Sequence, residues 1–133
     1  MHPVLRRILS IGVLLSLVFA PAPPVKAQSA GSCADLGALV PMDFEVITVS
    51  SAAIGFTTSK IATSTATAKV AVWYLATNAV NYREDGTNPT AGVGMPVAAG
   101  TYGTTCGQKA VSQIRFIRQS ADATLSVSYY RGE

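Results

Sequence analysis

Ala123-Thr124-Leu125-Ser126-Val127-Ser128-Tyr129-Tyr130 alternates apolar and hydroxyl-bearing side chains for most of its length. Successive side chains of a strand point to opposite faces. Ala123, Leu125, Val127 and Tyr129 therefore share a buried face, while Thr124, Ser126, Ser128 and Tyr130 face the other way. A second segment, Lys69 to Ala76, is apolar on both faces, with Val70, Val72 and Tyr74 on one and Ala71, Trp73 and Leu75 on the other. That pattern belongs to a strand in the middle of a sheet. Further strands are expected at Phe44 to Ser50, Ile54 to Thr57, Val80 to Glu84 and Ile114 to Arg118, each bounded by Gly, Pro, Asn or Ser. No amphipathic helix of ten or more residues stands out. Six or more short strands at this spacing predict an all-β fold, a single small antiparallel β-sandwich of jelly-roll-like or barrel-like form.

The segments between the strands carry their own chemistry. Asp85-Gly86 offers the positive φ of a tight hairpin turn, and Asn88-Pro89 removes a backbone donor, so the chain is expected to leave the sheet edge there. Ala91 to Pro96 reads as an extended loop. Its glycines do not form a phosphate cradle, because no Walker lysine follows them. Lys60 to Thr67, rich in Thr, Ser and Ala, reads as a flexible loop, and Cys33 to Met42 as an arm, a short helical turn or an edge strand.

The N-terminus has the form of a secretory leader. Arg6 and Arg7 precede an uncharged run from Ile8 to Phe19, and a Pro/Ala-rich stretch then ends at Ala27. The run is shorter than the roughly 20 apolar residues a membrane-spanning helix needs. The expected organisation is a signal peptide over residues 1–27, an N-terminal arm over 28–42 and a sandwich domain over 43–133. The product is then periplasmic or extracellular, with no stable membrane span after processing. Arg6, Arg7 and Lys26 carry the whole formal charge of +3, and the rest of the chain is neutral. Its remaining cations are scattered among carboxylates, which argues against nucleic acid as a partner.

Cys33 and Cys106 are the only cysteines. In an oxidising compartment a disulfide between them is the first expectation, worth about 4 kcal/mol in the chain-entropy model. Unpaired or intermolecular thiols are the alternative. A metal site or a reactive thiol has little support, because the single histidine, His2, lies in the leader. Neither a Ser/His/Asp nor a Cys/His nucleophile can be built after processing. A carboxylate pair from Glu84 or Asp85 with Asp122 is arithmetically available, but both aspartates occupy positions where the residue bonds its own turn. No catalytic residue, cofactor or metal ligand is assigned.

Binding by surface contact is left. Tyr74, Tyr82 and Tyr129 fit inward positions, whereas Tyr102 and Tyr130 suit an exposed surface, and Arg83 and Arg115 lie on strand faces open to solvent or a partner. Tyrosine and arginine are favoured at interfaces, so Arg83, Tyr102, Arg115 and Tyr130 are the expected contact residues.

Four segments, in order, carry a resemblance. They are Ile47 to Gly55 (ITVSSAAIG), Tyr82 to Gly94 (YREDGTNPTAGVG), the turn from Pro96 to Gly100, and Ile114 to Tyr130 (IRFIRQSADATLSVSYY). Together they resemble small β proteins encoded among the structural genes of tailed phages. The resemblance implies a virion-associated, decoration-type domain that self-assembles or binds a protein partner without catalysis. The other reading is a periplasmic or secreted carbohydrate-binding or adhesion module whose partner is a cell-envelope glycan.

Overall fold

The computed structural model describes Cys33 and residues 37–133. The leader over 1–27 and much of the arm lie outside the described residues. Seven strands form two antiparallel sheets packed face to face. In chain order they are β1 (Leu39–Val49), β2 (Val70–Leu75), β3 (Val80–Arg83), β4 (Met95–Val97), β5 (Thr101–Cys106), β6 (Arg115–Arg118) and β7 (Ala123–Gly132). One sheet has the order β1-β7-β2-β5 and the other β4-β3-β6. Both sheets are open, so the molecule is a sandwich with four edges and not a closed barrel.

The alternation of β7 does what its pattern predicts. Ala123, Leu125, Val127 and Tyr129 are buried, and the register sets Tyr129 opposite Ala71, Val127 opposite Trp73 and Leu125 opposite Leu75. On the far side of β7, Glu45, Ile47 and Val49 of β1 continue the same inner face. Phe116 of β6 and Val80 and Tyr82 of β3 meet them from the second sheet. An aromatic cluster fills the middle. Phe116 packs on Phe56, Trp73 and Tyr82 with ring centroids 5.6–5.8 Å apart, and Phe56 meets Tyr129 edge-on at 5.4 Å, geometries that suit aromatic quadrupoles.

Trp73 also explains a glycine. Gly103 is its partner on β5, and any Cβ there would run into the indole ring. The indole N–H donates to Thr105 Oγ1 at 3.2 Å, and the Thr105 hydroxyl donates to Glu84 Oε1 at 3.2 Å. This chain satisfies a buried polar group and links the two sheets.

Several expectations need correction. Ile54 to Thr57 is not a strand; Ile54 forms a single bridge to Phe116 on the outer side of β6. Lys60 to Thr67, read as a flexible loop, carries local structure. A short helix α1 (Thr58–Ile61) buries Ile61, and an Ala62–Thr67 bridge is held by the Thr63 hydroxyl, which accepts from Ala66 N at 3.0 Å. Asp85-Gly86 does not close a tight hairpin. Gly86 takes φ +82°, but the β3–β4 connection runs over residues 84–94. Met95 and Pro96, read as loop, lie in β4, where proline is tolerated because the strand is an edge. The strand β5 and a helix α2 (Gln108–Gln113) carry no apolar period and escaped notice. Tyr74 is not inward; it lies on the outer face of the four-stranded sheet, 4.4 Å from the Tyr102 ring. Of the three readings of Cys33 to Met42, the edge strand holds from Leu39, where β1 begins.

Cys33 and Cys106 form a disulfide with Cα atoms 5.6 Å apart. It ties the chain just ahead of β1, one edge of the large sheet, to the end of β5, the other edge.

Replacing Gly103 with Ala is expected to destabilise the fold by about 1–3 kcal/mol, because the rigid indole cannot yield to the new methyl group. Urea unfolding measures it; an unchanged midpoint would mean that Trp73 has room to move.

Candidate functional site

The outer face of the four-stranded sheet is built by the even-numbered residues of its strands. The register lines up Phe44, Ser128, Val72 and Thr104 in one row and Val46, Ser126, Tyr74 and Tyr102 in the next. Thr48 pairs with Thr124 at one end, and Tyr130, Val70 and Cys106 form a row at the other. No side chain in these rows is charged. The charged residues of the same strands, Asp43, Glu45 and Arg131, all fall on the opposite parity. Glu45 Oε1 accepts from the buried Tyr129 hydroxyl and, at 3.0 Å, from Thr57 N. Asp43 Oδ1 meets Lys60 Nζ at 2.9 Å, which with the Phe44 N–H holds its carboxyl below the usual range. Burial, reinforced by Glu45, keeps the Tyr129 phenol protonated as the donor.

Exposure on this face is concentrated at its margins. Phe44 is 54%, Val46 58% and Tyr102 73% exposed. Phe44 and Val46 stand side by side on the β1 margin and Tyr102 on the β5 margin, with Ser126, Ser128, Val72 and Tyr74 between them. Val70 is different. It faces outward yet is 2% exposed and outside the main core, flanked by Cys106 and Tyr130 at the end of the face where the disulfide lies.

The second sheet hides its outer face. Asn81 points away from the core but is only 4% exposed, because the 84–94 connection folds back over it. The Asn81 amide donates to Thr90 O at 3.0 Å and Ala91 O at 2.8 Å and accepts from Gln119 Nε2 at 3.0 Å. Gly94, at φ +142°, lies against Asn81, Tyr82 and Pro89, where a side chain would be crowded and its backbone strained. The YREDGTNPTAGVG segment is thus a latch over the small sheet. Between Tyr82, Arg83, Glu84, Asp85, Gly94 and Met95 it leaves a cleft of about 280 Å³, at the small end of the range for ligand sites.

The four contact residues named from sequence divide between the two faces. Tyr102 and Tyr130 lie on the outer face of the four-stranded sheet. Arg83 and Arg115 are paired opposite each other on the outer face of the small sheet. Both arginines are engaged locally, Arg83 with Asp85 at 2.5 Å and Arg115 Nη1 with Ile114 O at 2.7 Å and Ser112 O at 3.1 Å. Phe44, Val46 and Tyr74 were missed as surface residues. The parity of Phe44-Glu45-Val46-Ile47 was a usable signal, since two apolar residues must face away from Ile47.

The carboxylates considered for catalysis do not meet. Asp85 and Glu84 follow the end of β3, while Asp122 bonds Arg118, the partner of Val80 at its start. The length of β3 separates them by roughly 10 Å. Among the described residues no three of His, Cys, Asp and Glu gather, and no helix is long and apolar enough to cross a membrane. Comparison with protein-family models, with curated proteins and with solved structures gave no match.

Two outcomes test the latch. Asn81→Ala should cost about 1–3 kcal/mol, since the Thr90 and Ala91 carbonyls and the Gln119 amide lose their partner. Amide exchange across 84–94 should accelerate more than in β7. The second concerns acid. The Asp85 carboxyl is held down to about 2 by Arg83 and the Thr87 N–H, against about 3.9 unfolded. Its contribution is present above about pH 4 and is lost as pH falls through 2. An NMR titration of the Asp85 carboxyl and the Thr87 amide should share a midpoint near 2; a midpoint near 4 would show that the ion pair does not form.

Proposed function

We propose that the chain is an exported, non-enzymatic interaction module of the phage virion-protein type, acting by surface contact through the outer face of its four-stranded sheet. The observation that carries this reading is the uncharged face with Phe44, Val46 and Tyr102 held open on it. A surface without charged side chains avoids the cost of desolvating an ion, and its exposed aromatic residues suit an interface centre. The leader-like N-terminus supports export, and the ordered resemblance of four segments supports the virion type.

One observation favours the carbohydrate reading. The Tyr74 and Tyr102 rings lie 31° apart in plane at 4.4 Å, a surface on which a sugar ring can stack. Sugar hydroxyls, however, are fixed by carboxylates, amides and guanidinium groups, and this face presents only hydroxyls of its own. A protein surface is the better match.

An exporting bacterium supplies the test. The protein is expected in the periplasmic fraction, beginning at Gln28 and lighter than its reduced form by two hydrogens. An impermeant amine-independent photo-crosslinker should give the wild type a larger adduct that Phe44→Glu with Val46→Lys removes and Arg83→Ala with Arg115→Ala retains. Equal crosslinking of all three proteins would reject the face as the contact. Sedimentation with purified peptidoglycan, lost in Tyr102→Ala, would establish the glycan reading in its place.

A further inference from the structure

Three of the four sheet edges carry a device that resists strand addition. β4 is three residues long with Pro96 in its centre. β6 is occupied by Ile54, which exchanges two 2.8 Å hydrogen bonds with Phe116. β1 has a register irregularity between Pro41 and Asp43, turns Asp43 and Glu45 inward, and has its Phe44 N–H taken by Asp43 Oδ1 at 2.7 Å. The fourth edge, β5, reads Thr101-Tyr102-Gly103-Thr104-Thr105-Cys106. It has no proline and no charge, and no other described strand pairs with its free side.

The ladder fixes which backbone groups that edge offers. Gly107 N donates to Lys69 O at 2.7 Å, and the register then directs the N–H and C=O groups of Thr101, Gly103 and Thr105 to β2. Those of Tyr102, Thr104 and Cys106 point out of the sheet. Tyr102 and Thr104 are exposed.

We propose that β5 is an assembly edge, where a second copy of this chain adds its own β5 antiparallel and joins two four-stranded sheets into one of eight strands. Such a contact is isologous, and a twofold axis at Thr104 sets that residue opposite itself. Two features of β5 favour its own copy as the occupant. With no charged side chain it opposes no like charge in a symmetric pair, and Thr–Thr is among the favourable cross-strand pairs. The contact uses backbone groups of an edge and is independent of the outer-face reading.

The exported, oxidised protein is tested by sedimentation velocity over a concentration series. The wild type is expected to dimerise. Thr104→Pro removes the outward N–H from both copies, two hydrogen bonds per dimer, and should weaken association roughly 30-fold. Thr104→Val, which keeps the donor and the branched side chain, should dimerise like the wild type. Should Thr104→Pro fail to fold, hydrogen exchange on the wild type decides: the Tyr102 and Thr104 amides must gain protection with concentration while the Val46 amide does not. A protein monomeric at every concentration overturns the proposal, as does a Thr104→Pro dimer of wild-type affinity. A dimer dissolved by Phe44→Glu but not by Thr104→Pro also overturns it, and leaves the outer face standing as the contact.

Discussion

The burial of Trp73 against Gly103 is the constraint on which the sandwich depends. The indole needs a strand partner with no side chain, and β5 provides one at that register position only. Its N–H needs an acceptor in an apolar interior, and Thr105, two residues along the same strand, lies close enough to serve. Thr105 in turn reaches Glu84, so one buried donor determines the placement of β5 against β2 and of the end of β3 against both. The aromatic cluster of Phe56, Phe116, Tyr82 and Tyr129 packs around the space this arrangement leaves.

The two outer faces have opposite fates for a reason visible in their strands. On the small sheet Asn81 draws the following loop back over the strands through two carbonyl acceptors, and Pro96 and Gly94 let the chain turn in close. Asn81 and Arg83 hold that loop, through Thr90, Ala91 and Asp85, while Arg115 bonds the carbonyls of Ser112 and Ile114. On the large sheet the charged residues Asp43, Glu45 and Arg131 fall on the inner parity, where Asp43 pairs with Lys60 and Glu45 bonds Tyr129. The even-numbered positions are left as a neutral plane. At one end of that plane the disulfide fixes Cys33 to the end of β5.

Alternating and continuous apolar patterns made β7 and β2 legible, because period-two burial leaves a direct trace in the residue types. The all-β class followed from composition and spacing, and the pairing of the two cysteines from their being the only two in a chain with a leader-like N-terminus. β5 was illegible for a physical reason. Its inner positions are Thr101, Gly103 and Thr105, small or polar residues chosen to fit Trp73, so no apolar alternation survives in them. The short helices α1 and α2 bury one side chain each, Ile61 and Val111, and a single anchor has no period to detect. Ile54 to Thr57 reads as strand from its residue types, and that only Ile54 pairs, in one bridge to Phe116, is set by a contact distant in sequence.

Where both faces of a strand are apolar, which one is exposed was decided only in three dimensions. The sequence by itself determined that Val70, Val72 and Tyr74 share one face of β2 and Ala71, Trp73 and Leu75 the other, since that is a property of the extended backbone. It could not say which face is inside, because both are apolar; pairing with β7, whose parity is unambiguous, placed Tyr74 outside. In the same way Tyr102 and Arg83 were both readable as surface residues. Their assignment to opposite sides of the molecule came from strand order, which depends on contacts between segments far apart in the chain.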